Sequence, residues 1–302
     1  MKLLYRYIII FTIAQFYIQG ANAFTCMTTL GQTLTSGSAN VSVDLTPSIS
    51  SGQNLVVDLS NSILCKNDSA AGATLDTDYI NLTSGSAYGG VLKSFSGTVY
   101  WNGNSYPLPL TSNTSVLTVT NLSYSGLPLK LYLTASGAAG GVVINAGELI
   151  AVLNMYKIAT YGGGNPKNFT WNIYAANSVV VPTGGCDVSS RDVTVTLPNY
   201  PASTSVPLSV YCSQNQNLSF YLTGSTFSST IFQNTASSSA ASGVGIQLIR
   251  NGSAIPANSN VSLGTVGTSS TSLGLSTQYA RTSGQVTAGT VQSVIGVTFV
   301  YQ

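Results

Sequence analysis

The chain has 302 residues, of which only 6% are charged, with ten Lys or Arg against eight Asp or Glu and no histidine. A near-neutral balance provides no basic surface for nucleic acid, and the lack of histidine removes the commonest general base and a favoured metal ligand. We therefore expect no nucleic-acid partner, no metal or cofactor, and no enzymatic activity.

The first 23 residues have the pattern of a secretory signal peptide. Lys2 and Arg6 flank the start of the chain, the apolar run "YIIIFTIAQFYI" follows, and "ANA" before Phe24 fits a signal-peptidase site. A transmembrane anchor is the alternative, but the apolar run is short for a bilayer span. Cleavage after residue 23 would make Phe24 the N-terminal residue, with a free ammonium whose ordinary pKa is about 8.

The four cysteines fall into two well-separated pairs. In an exported chain this spacing predicts one local disulfide in each half, Cys26 with Cys65 and Cys186 with Cys212. Pairing between the two halves is the alternative, and it would require closure over a longer range.

Short runs of alternating or β-branched residues recur along the chain, whereas helical periodicity is hard to find. Gly, Asn, Ser and Pro turn signals bound these runs, which predicts an all-β protein made of two sandwich domains. Trp101 and Trp171 lie within such runs and are expected in the core. The predicted strands are, in chain order, "NLVVDLS", "SGTVYWN", "SVLTVTNL", "LKLYLT", "ELIAVLNMY", "SVVVP", "DVTVTLP", "LSVYC", "GIQLIR" and "VIGVTFVYQ".

A domain boundary is predicted at "VVVPTGGC", where an apolar strand stops at Pro182 and two glycines precede Cys186. The first domain would span residues 24–181, the linker residues 182–185 and the second domain residues 186–302. So short a linker would leave the two domains close enough to touch.

The last segment of the sequence, "TVQSVIGVTFVYQ", alternates from Val291 to Tyr301. The pattern predicts a long apolar strand with no following strand in the sequence to cover its edge. Because an uncovered apolar edge promotes aggregation, we expect a chaperone or a neighbouring subunit to pair with it.

Several motifs resemble the FimH family of two-domain chaperone-usher pilus tip adhesins: "GQNLVVDLS", "SAYGGVL", "NFTWNIYAANSVVVPTGGCDVS", "RDVTVTLPNYP", "ARTSGQVTAGTVQS" and "IGVTFVYQ". The resemblance covers essentially all of the chain after residue 23. It implies an immunoglobulin-like lectin domain followed by an incomplete immunoglobulin-like pilin domain. A periplasmic chaperone and then the adjacent pilus subunit would complete that second domain by donor-strand exchange at an outer-membrane usher, with Val297, Phe299 and Tyr301 in the pairing segment.

Within the family, the sequence departs from the mannose-binding type. Where that type has an Asn-Asp-Tyr stretch, this chain has Asn67, Asp68 and Ser69, and where it has glutamine and aspartate acceptors, this chain has Ile158 and Asn165. Mannose is therefore not the favoured ligand, and a mannose-binding adhesin is kept as an alternative.

The segments "LDTDYINL", "GTVYWNGNSYPLPLTSNTSVL", "LPLKLYLTASGAAGGVV" and "MYKIATYGGGNPKNFTWN" are similar to the FmlH type, which binds terminal galactose or N-acetylgalactosamine. Ser69 is the one mismatch, a tyrosine in that type, and Tyr161 is a candidate substitute ring. By resemblance, the ligand-binding residues are Phe24, Asp68, Asp78, Lys157 and Asn165.

These residue types suit a sugar, because each hydroxyl of a sugar both donates and accepts hydrogen bonds. Asp68 and Asp78 would accept, Lys157 and the Phe24 ammonium would donate, and Asn165 would do both. The expected protein is an adhesin at the fimbrial tip on the cell surface that binds a host galactoside. A structural pilus subunit without a ligand is a second hypothesis, although such a subunit would need only one domain. A glycosidase is a third, and the cations beside both carboxylates disfavour it.

Overall fold

The structure is a computed structural model that describes residues 24–69, 77–160 and 164–302. The predicted signal peptide, residues 1–23, lies outside them. Within the described residues no helix is both long and apolar enough to cross a membrane. Strands dominate the described residues, which include the short 3-10 segment Gly90–Ser94, so the all-β prediction is confirmed.

The strands fall into two groups along the chain. The first group consists of β1 Phe24–Thr28, β2 Thr33–Leu34, β3 Gly37–Val43, β4 Ser48–Ile49, β5 Gln53–Asp58, β6 Ile63–Asn67, β7 Asp78–Leu82, β8 Ala87–Tyr88, β9 Gly97–Trp101, β10 Asn104–Leu108, β11 Leu117–Val119, β12 Ser125–Gly126, β13 Leu129–Thr134, β14 Gly141–Ile144, β15 Leu149–Ala159, β16 Lys167–Ala175 and β17 Val179–Pro182. The second group consists of β18 Cys186–Val188, β19 Ser203–Ser205, β20 Ser209–Cys212, β21 Gln216–Thr223, β22 Thr226–Ser228, β23 Ile231–Phe232, β24 Val244–Arg250, β25 Ser253–Ala254, β26 Val261–Val266, β27 Thr271–Ser272, β28 Leu275–Arg281 and β29 Gly296–Tyr301.

The first group forms sheets that enclose one hydrophobic core. The largest sheet has the order β11-β7-β15-β16-β3, with β8 also pairing with β15, and β16 and β3 run parallel. A four-stranded sheet, β12-β6-β1-β2, and a five-stranded sheet, β10-β9-β13-β5-β4, bury their alternate residues against it. Trp101 and Trp171 are fully buried there, as expected from their strand-like surroundings.

The second group encloses a separate core, built from the sheets β18-β20-β27, β19-β28-β24-β23-β22 and β26-β21-β29. Each core contains one disulfide, Cys26–Cys65 in the first and Cys186–Cys212 in the second. The division into domains at residues 182–185 stays a prediction, since separate cores alone do not show that either half folds by itself.

A buried asparagine of the first group holds the start of the connection to the second group. The Asn54 side chain is fully buried, and its Nδ2 donates hydrogen bonds to the carbonyl oxygens of Pro182 at 2.9 Å and Gly184 at 2.8 Å. Arg191, which follows β18, contacts the first group, because its Nη2 donates a hydrogen bond to the carbonyl of Gly140 at 3.2 Å. The connection between the cores is therefore held by side chains from both sides.

Two predicted strands differ from the structure. Residues 192–198, "DVTVTLP", form no strand, although burial alternates along them, and the C-terminal strand begins at Gly296 rather than at Val291. Alternation shows which side chains face a core, but a strand also needs a hydrogen-bonding partner. These two stretches border the same open cleft, described below.

Candidate ligand-binding site

Strand ends meet at one end of the first core and bring candidate residues together. Phe24 begins β1 and pairs with Asn67 at the end of β6, while Asp78 begins β7 and pairs with Ala159 at the end of β15. Because Lys157, two residues before the end of β15, also contacts Phe24, the two pairs of strands belong to one site.

Lys157 and Asp78 form a fully buried ion pair. The distance from Lys157 Nζ to Asp78 Oδ1 is 2.7 Å, and both side chains have no exposed surface. The Lys157 ammonium also lies 5.8 Å from the centre of the Phe24 ring. Because both side chains are buried, each charge stabilises the other, and removing one takes the opposite charge of this pair away from a buried group.

The Phe24 side chain belongs to the core. Its ring is 2% exposed and meets the Phe169 ring edge-on at 5.7 Å, and Phe169 in turn stacks on Trp171 at 5.9 Å. Residue 24 could therefore serve a ligand through its main-chain nitrogen rather than its ring. The disulfide Cys26–Cys65 fixes this end of β1 to β6, which leads directly to Asp68.

Asp68 lies at the rim of the site, with 13% of its side chain exposed. Its Oδ1 is 2.7 Å from Lys66 Nζ, and its Oδ2 accepts a hydrogen bond from the Thr25 hydroxyl. The hydrogen bond to Asp68 raises the pKa of Lys66, so the ammonium is charged throughout the neutral range. The main-chain N–H of Ser69 donates a hydrogen bond to Asn67 Oδ1 at 2.7 Å, which fixes the turn after β6.

Asn165 stands apart from the other four candidates. It is half-buried in the connection between β15 and β16, with a left-handed φ of 35°, and among the described residues it makes no hydrogen bond to Asp68, Asp78 or Lys157. Its neighbour Gly164 packs against Ile158. The structure thus joins Phe24, Asp78 and Lys157 directly, with Asp68 beside them. The candidate ring of Tyr161 lies outside the described residues.

Ile158 does not belong to the site, because it projects from the opposite face of β15 to Lys157. Its side chain is 39% exposed, and its cross-strand neighbour Tyr79 is 36% exposed. Its identity therefore carries no information on the choice between mannose and galactose.

Sequence reasoning missed Lys66 and Tyr124. Lys66 precedes Asp68 by two residues, a spacing that places two strand residues on one face, so its role had a local signal. Tyr124 had no such local signal, because it is far from Asp68 in the sequence. In the structure, Lys66 Nζ lies 5.3 Å from the centre of the Tyr124 ring.

No group of three or more metal-ligating side chains occurs in the described part of the chain. The charged groups at the tip are instead paired carboxylates and ammoniums. Lys66 and Asp68 are partly exposed and can exchange hydrogen bonds with hydroxyl groups, whereas the side chains of Lys157 and Asp78 have no exposed surface.

A second candidate site is an open cleft of about 950 Å³ on the second core. One wall is residues 192–197, where Val193, Val195 and Leu197 are half-buried, and another is the segment 291–297 leading into β29. β29 pairs with β21 on one side only, and Phe299 is buried while Tyr301 is 43% exposed. Polar and apolar side chains line the cleft in similar measure, and it lies between two segments of alternating sequence.

Comparison with known proteins gives two strong matches to fimbrial proteins. The family model described as "FimH, mannose binding" matches residues 26–172. The type 1 fimbrin D-mannose specific adhesin of Escherichia coli strain K12 is 57% identical over 284 residues, which cover 93% of each chain. The S-fimbrial protein subunit SfaH of Escherichia coli O6:K15:H31 is 38% identical, over 94% of this chain and 99% of its own.

Solved structures are less similar. The chaperone and tip-adhesin subunit complex of the Csu pili of Acinetobacter baumannii matches with a TM-score of 0.29 and 13% identity, over 91% of this chain and 99% of that one. The CupB6 tip adhesin of Pseudomonas aeruginosa matches with a TM-score of 0.26 and 15% identity, over 85% and 86%. Similarity at this level does not bear on function.

Proposed function

The chain belongs to the FimH-like family of fimbrial adhesins, the tip adhesins of chaperone-usher pili, and from this premise we propose that it binds terminal galactose or N-acetylgalactosamine on host glycans. Its relatives are adhesins and not enzymes, which confirms the expectation that it has no catalytic activity. As a fimbrial adhesin it is exported to the cell surface.

The observation that carries the sugar proposal is the charged tip of the first core. Lys157 and Asp78 are paired at 2.7 Å against Phe24, and the partly exposed carboxylate of Asp68 lies on the neighbouring strand. Cleavage before Phe24 would add an ammonium at this point. A sugar hydroxyl could then donate to Asp68 and accept from the ammonium, with Asn165 on the adjacent loop.

Mannose is the second candidate ligand. The 57% identical relative is named a D-mannose specific adhesin, and the matching family model has the same description. The residues that favour galactose are Lys157 and Asn165, which resemble the FmlH type. Ser69 fits neither type, since both have a tyrosine there.

We propose further that the cleft of the second core receives one strand from outside the chain. The alternate side chains of residues 192–197 face it without a hydrogen-bonded neighbour strand, and the free edge of β29 borders it. A periplasmic chaperone would fill the cleft first, and the adjacent pilus subunit would replace it at the outer-membrane usher. Val297, Phe299 and Tyr301 would lie in the pairing segment.

A glycan array with the chain beginning at Phe24 tests the sugar proposal. We expect signals on terminal galactosides and N-acetylgalactosaminides and weaker signals on mannosides. A matched control with one extra residue before Phe24 should fold but bind poorly, because it places a peptide bond where the ammonium is needed. Signals on mannosides alone would refute the proposed specificity, and no signal on any glycan would favour a structural subunit.

A further inference from the structure

Phe24, Asp68, Ser69, Asp78, Lys157 and Asn165, the candidate residues that the structure describes, offer a sugar no exposed aromatic surface. The Phe24 ring is 2% exposed and packs into the core, and Ser69 has no ring. Binding pockets for small molecules usually combine a few polar groups with apolar or aromatic side chains. One face of a pyranose consists of C–H groups, and an aromatic ring can pack against that face. A ring at the rim beside Asp68 would supply it.

Tyr124 lies there because its loop is fixed to β6 on both sides. Before it, the main-chain N–H of Asn67 donates to the carbonyl of Asn121 at 2.8 Å. After it, Ser125 and Gly126 pair with Cys65 and Leu64. Gly126 permits this approach, since a Cβ there would lie 1.7 Å from the carbonyl oxygen of Ser60.

One ammonium connects the Tyr124 ring to Asp68. Lys66 Nζ is 5.3 Å from the ring centre and 2.7 Å from Asp68 Oδ1. The cation attracts both the carboxylate and the face of the ring. The ring is half-buried, so part of its surface remains open to solvent. The acceptor and the ring thus both lie next to the same ammonium.

We propose that Tyr124 is a specificity-determining residue that stacks on the C–H face of the sugar whose hydroxyl Asp68 accepts. Lys66 is a positioning residue, whose ammonium holds the Asp68 carboxylate and the Tyr124 ring in place. The inference rests on the proposed sugar-binding function and adds to it the aromatic wall that Ser69 does not supply.

The test measures the affinity of the chain beginning at Phe24 for methyl galactoside and for N-acetylgalactosamine. Tyr124→Leu removes the ring and keeps an apolar side chain, and we expect affinity to fall about tenfold. Tyr124→Phe keeps the ring and should bind within about twofold of the parent. Tyr79→Leu is the matched control, because Tyr79 is an exposed tyrosine next to Asp78 in sequence but on the outer face of β7. It should bind like the parent.

The positioning role of Lys66 has its own readout. Lys66→Met should weaken binding of both sugars, and Lys66→Arg should restore it, because arginine retains the cation for the carboxylate and the ring. Loss of sugar binding in both variants would refute the role assigned to the positive charge of Lys66.

The outcomes separate this inference from the proposed function. If the parent binds galactosides and Tyr124→Leu binds equally well, the stacking role is refuted while the proposed function stands. If Tyr124→Leu loses binding only for longer glycans and not for the methyl glycoside, stacking on the Asp68-bound sugar is likewise refuted. If the parent binds no glycan, both fail.

Discussion

Lys157 and Asp78 contribute to stability as well as to the candidate site, because both side chains are fully buried and 2.7 Å apart. A ligand residue at the surface can be removed with little effect on folding. A buried charge that loses its partner destabilises the native state by about 3 to 5 kcal/mol. Loss of sugar binding in a single variant of this pair would therefore combine two effects.

We predict that Lys157→Met lowers the free energy of unfolding by about 3 to 5 kcal/mol, because it removes the cation 2.7 Å from the buried Asp78 carboxylate. The double variant Lys157→Met with Asp78→Leu should recover much of that loss, since no charge then remains buried. Chemical denaturation of the chain beginning at Phe24 measures both.

Lys130→Met is the matched control for this prediction. Lys130 pairs with Asp58 at 2.8 Å, but each side chain is 36% exposed. Solvent screens such a pair, and its removal should cost about 1 kcal/mol or less. Equal losses in Lys157→Met and Lys130→Met would contradict the assigned burial of the first pair.

The sequence predicted a set of candidate residues but not how they are arranged. Resemblance to a family selected Phe24, Asp78 and Lys157, which the structure brings into contact. It could not show that the last two form a buried pair, because their contact depends on the register of β7 against β15. Tyr124 could not be predicted either, because its contact with Lys66 depends on the pairing of β12 with β6.

At the scale of elements, the Cys26–Cys65 disulfide joins neighbouring residues of β1 and β6 and holds residue 24 beside the turn that carries Asp68. It closes 39 residues of sequence, and the disulfide Cys186–Cys212 closes 26. Loop-closure entropy assigns each a stabilisation of about 4 kcal/mol. Their effects on ligand binding should nonetheless differ, because only the first lies at the tip.

We predict that Cys26→Ala with Cys65→Ala weakens galactoside binding as well as stability, because the Phe24 end is freed from the strand leading to Asp68. Cys186→Ala with Cys212→Ala, the control, should reduce stability by a similar amount and leave the affinity unchanged. Calorimetric titration of both double variants at a temperature where each is folded gives the comparison. Unchanged affinity in the first variant would refute the coupling between the disulfide and the site.

The cleft of the second core explains why two strand predictions were only partly right. Residues 192–198 have the alternation of a strand, and so does the segment from Val291, yet neither has a partner on the side of the cleft. The alternation of side chains in a sequence indicates which of them are buried. Whether the segment forms a strand depends on a neighbouring strand with which it can form hydrogen bonds. The pattern in both segments is consistent with a neighbour supplied by another chain.

We predict that Val195→Asp prevents recovery of the protein with its periplasmic chaperone, because the carboxylate would be buried against the incoming strand. Thr196→Asp is the control, since Thr196 is exposed. Point variants are preferable to deletion of residues 297–302, which would remove the buried Phe299 from the core. Co-purification from the periplasm measures the effect, and normal recovery of Val195→Asp would argue against an inserted strand.

In the whole molecule, the two cores offer two different kinds of candidate site. The first has charged residues at the ends of its strands, and the second has an open cleft beside β29. Asn54 of the first group binds the connection between them through the carbonyls of Pro182 and Gly184. The all-β class and the two disulfides could be predicted from composition, alternation and cysteine spacing, because those features are local.

We propose that the charged tip, completed by an N-terminal Phe24, selects galactose-type sugars. Calorimetric titration of the chain beginning at Phe24 with methyl galactoside, N-acetylgalactosamine and methyl mannoside measures this selectivity, with the 57% identical D-mannose specific adhesin as the reference. We predict that either galactose-type sugar binds at least about tenfold more tightly than the mannoside, a difference of about 1.4 kcal/mol. Tighter binding of the mannoside would contradict the claim.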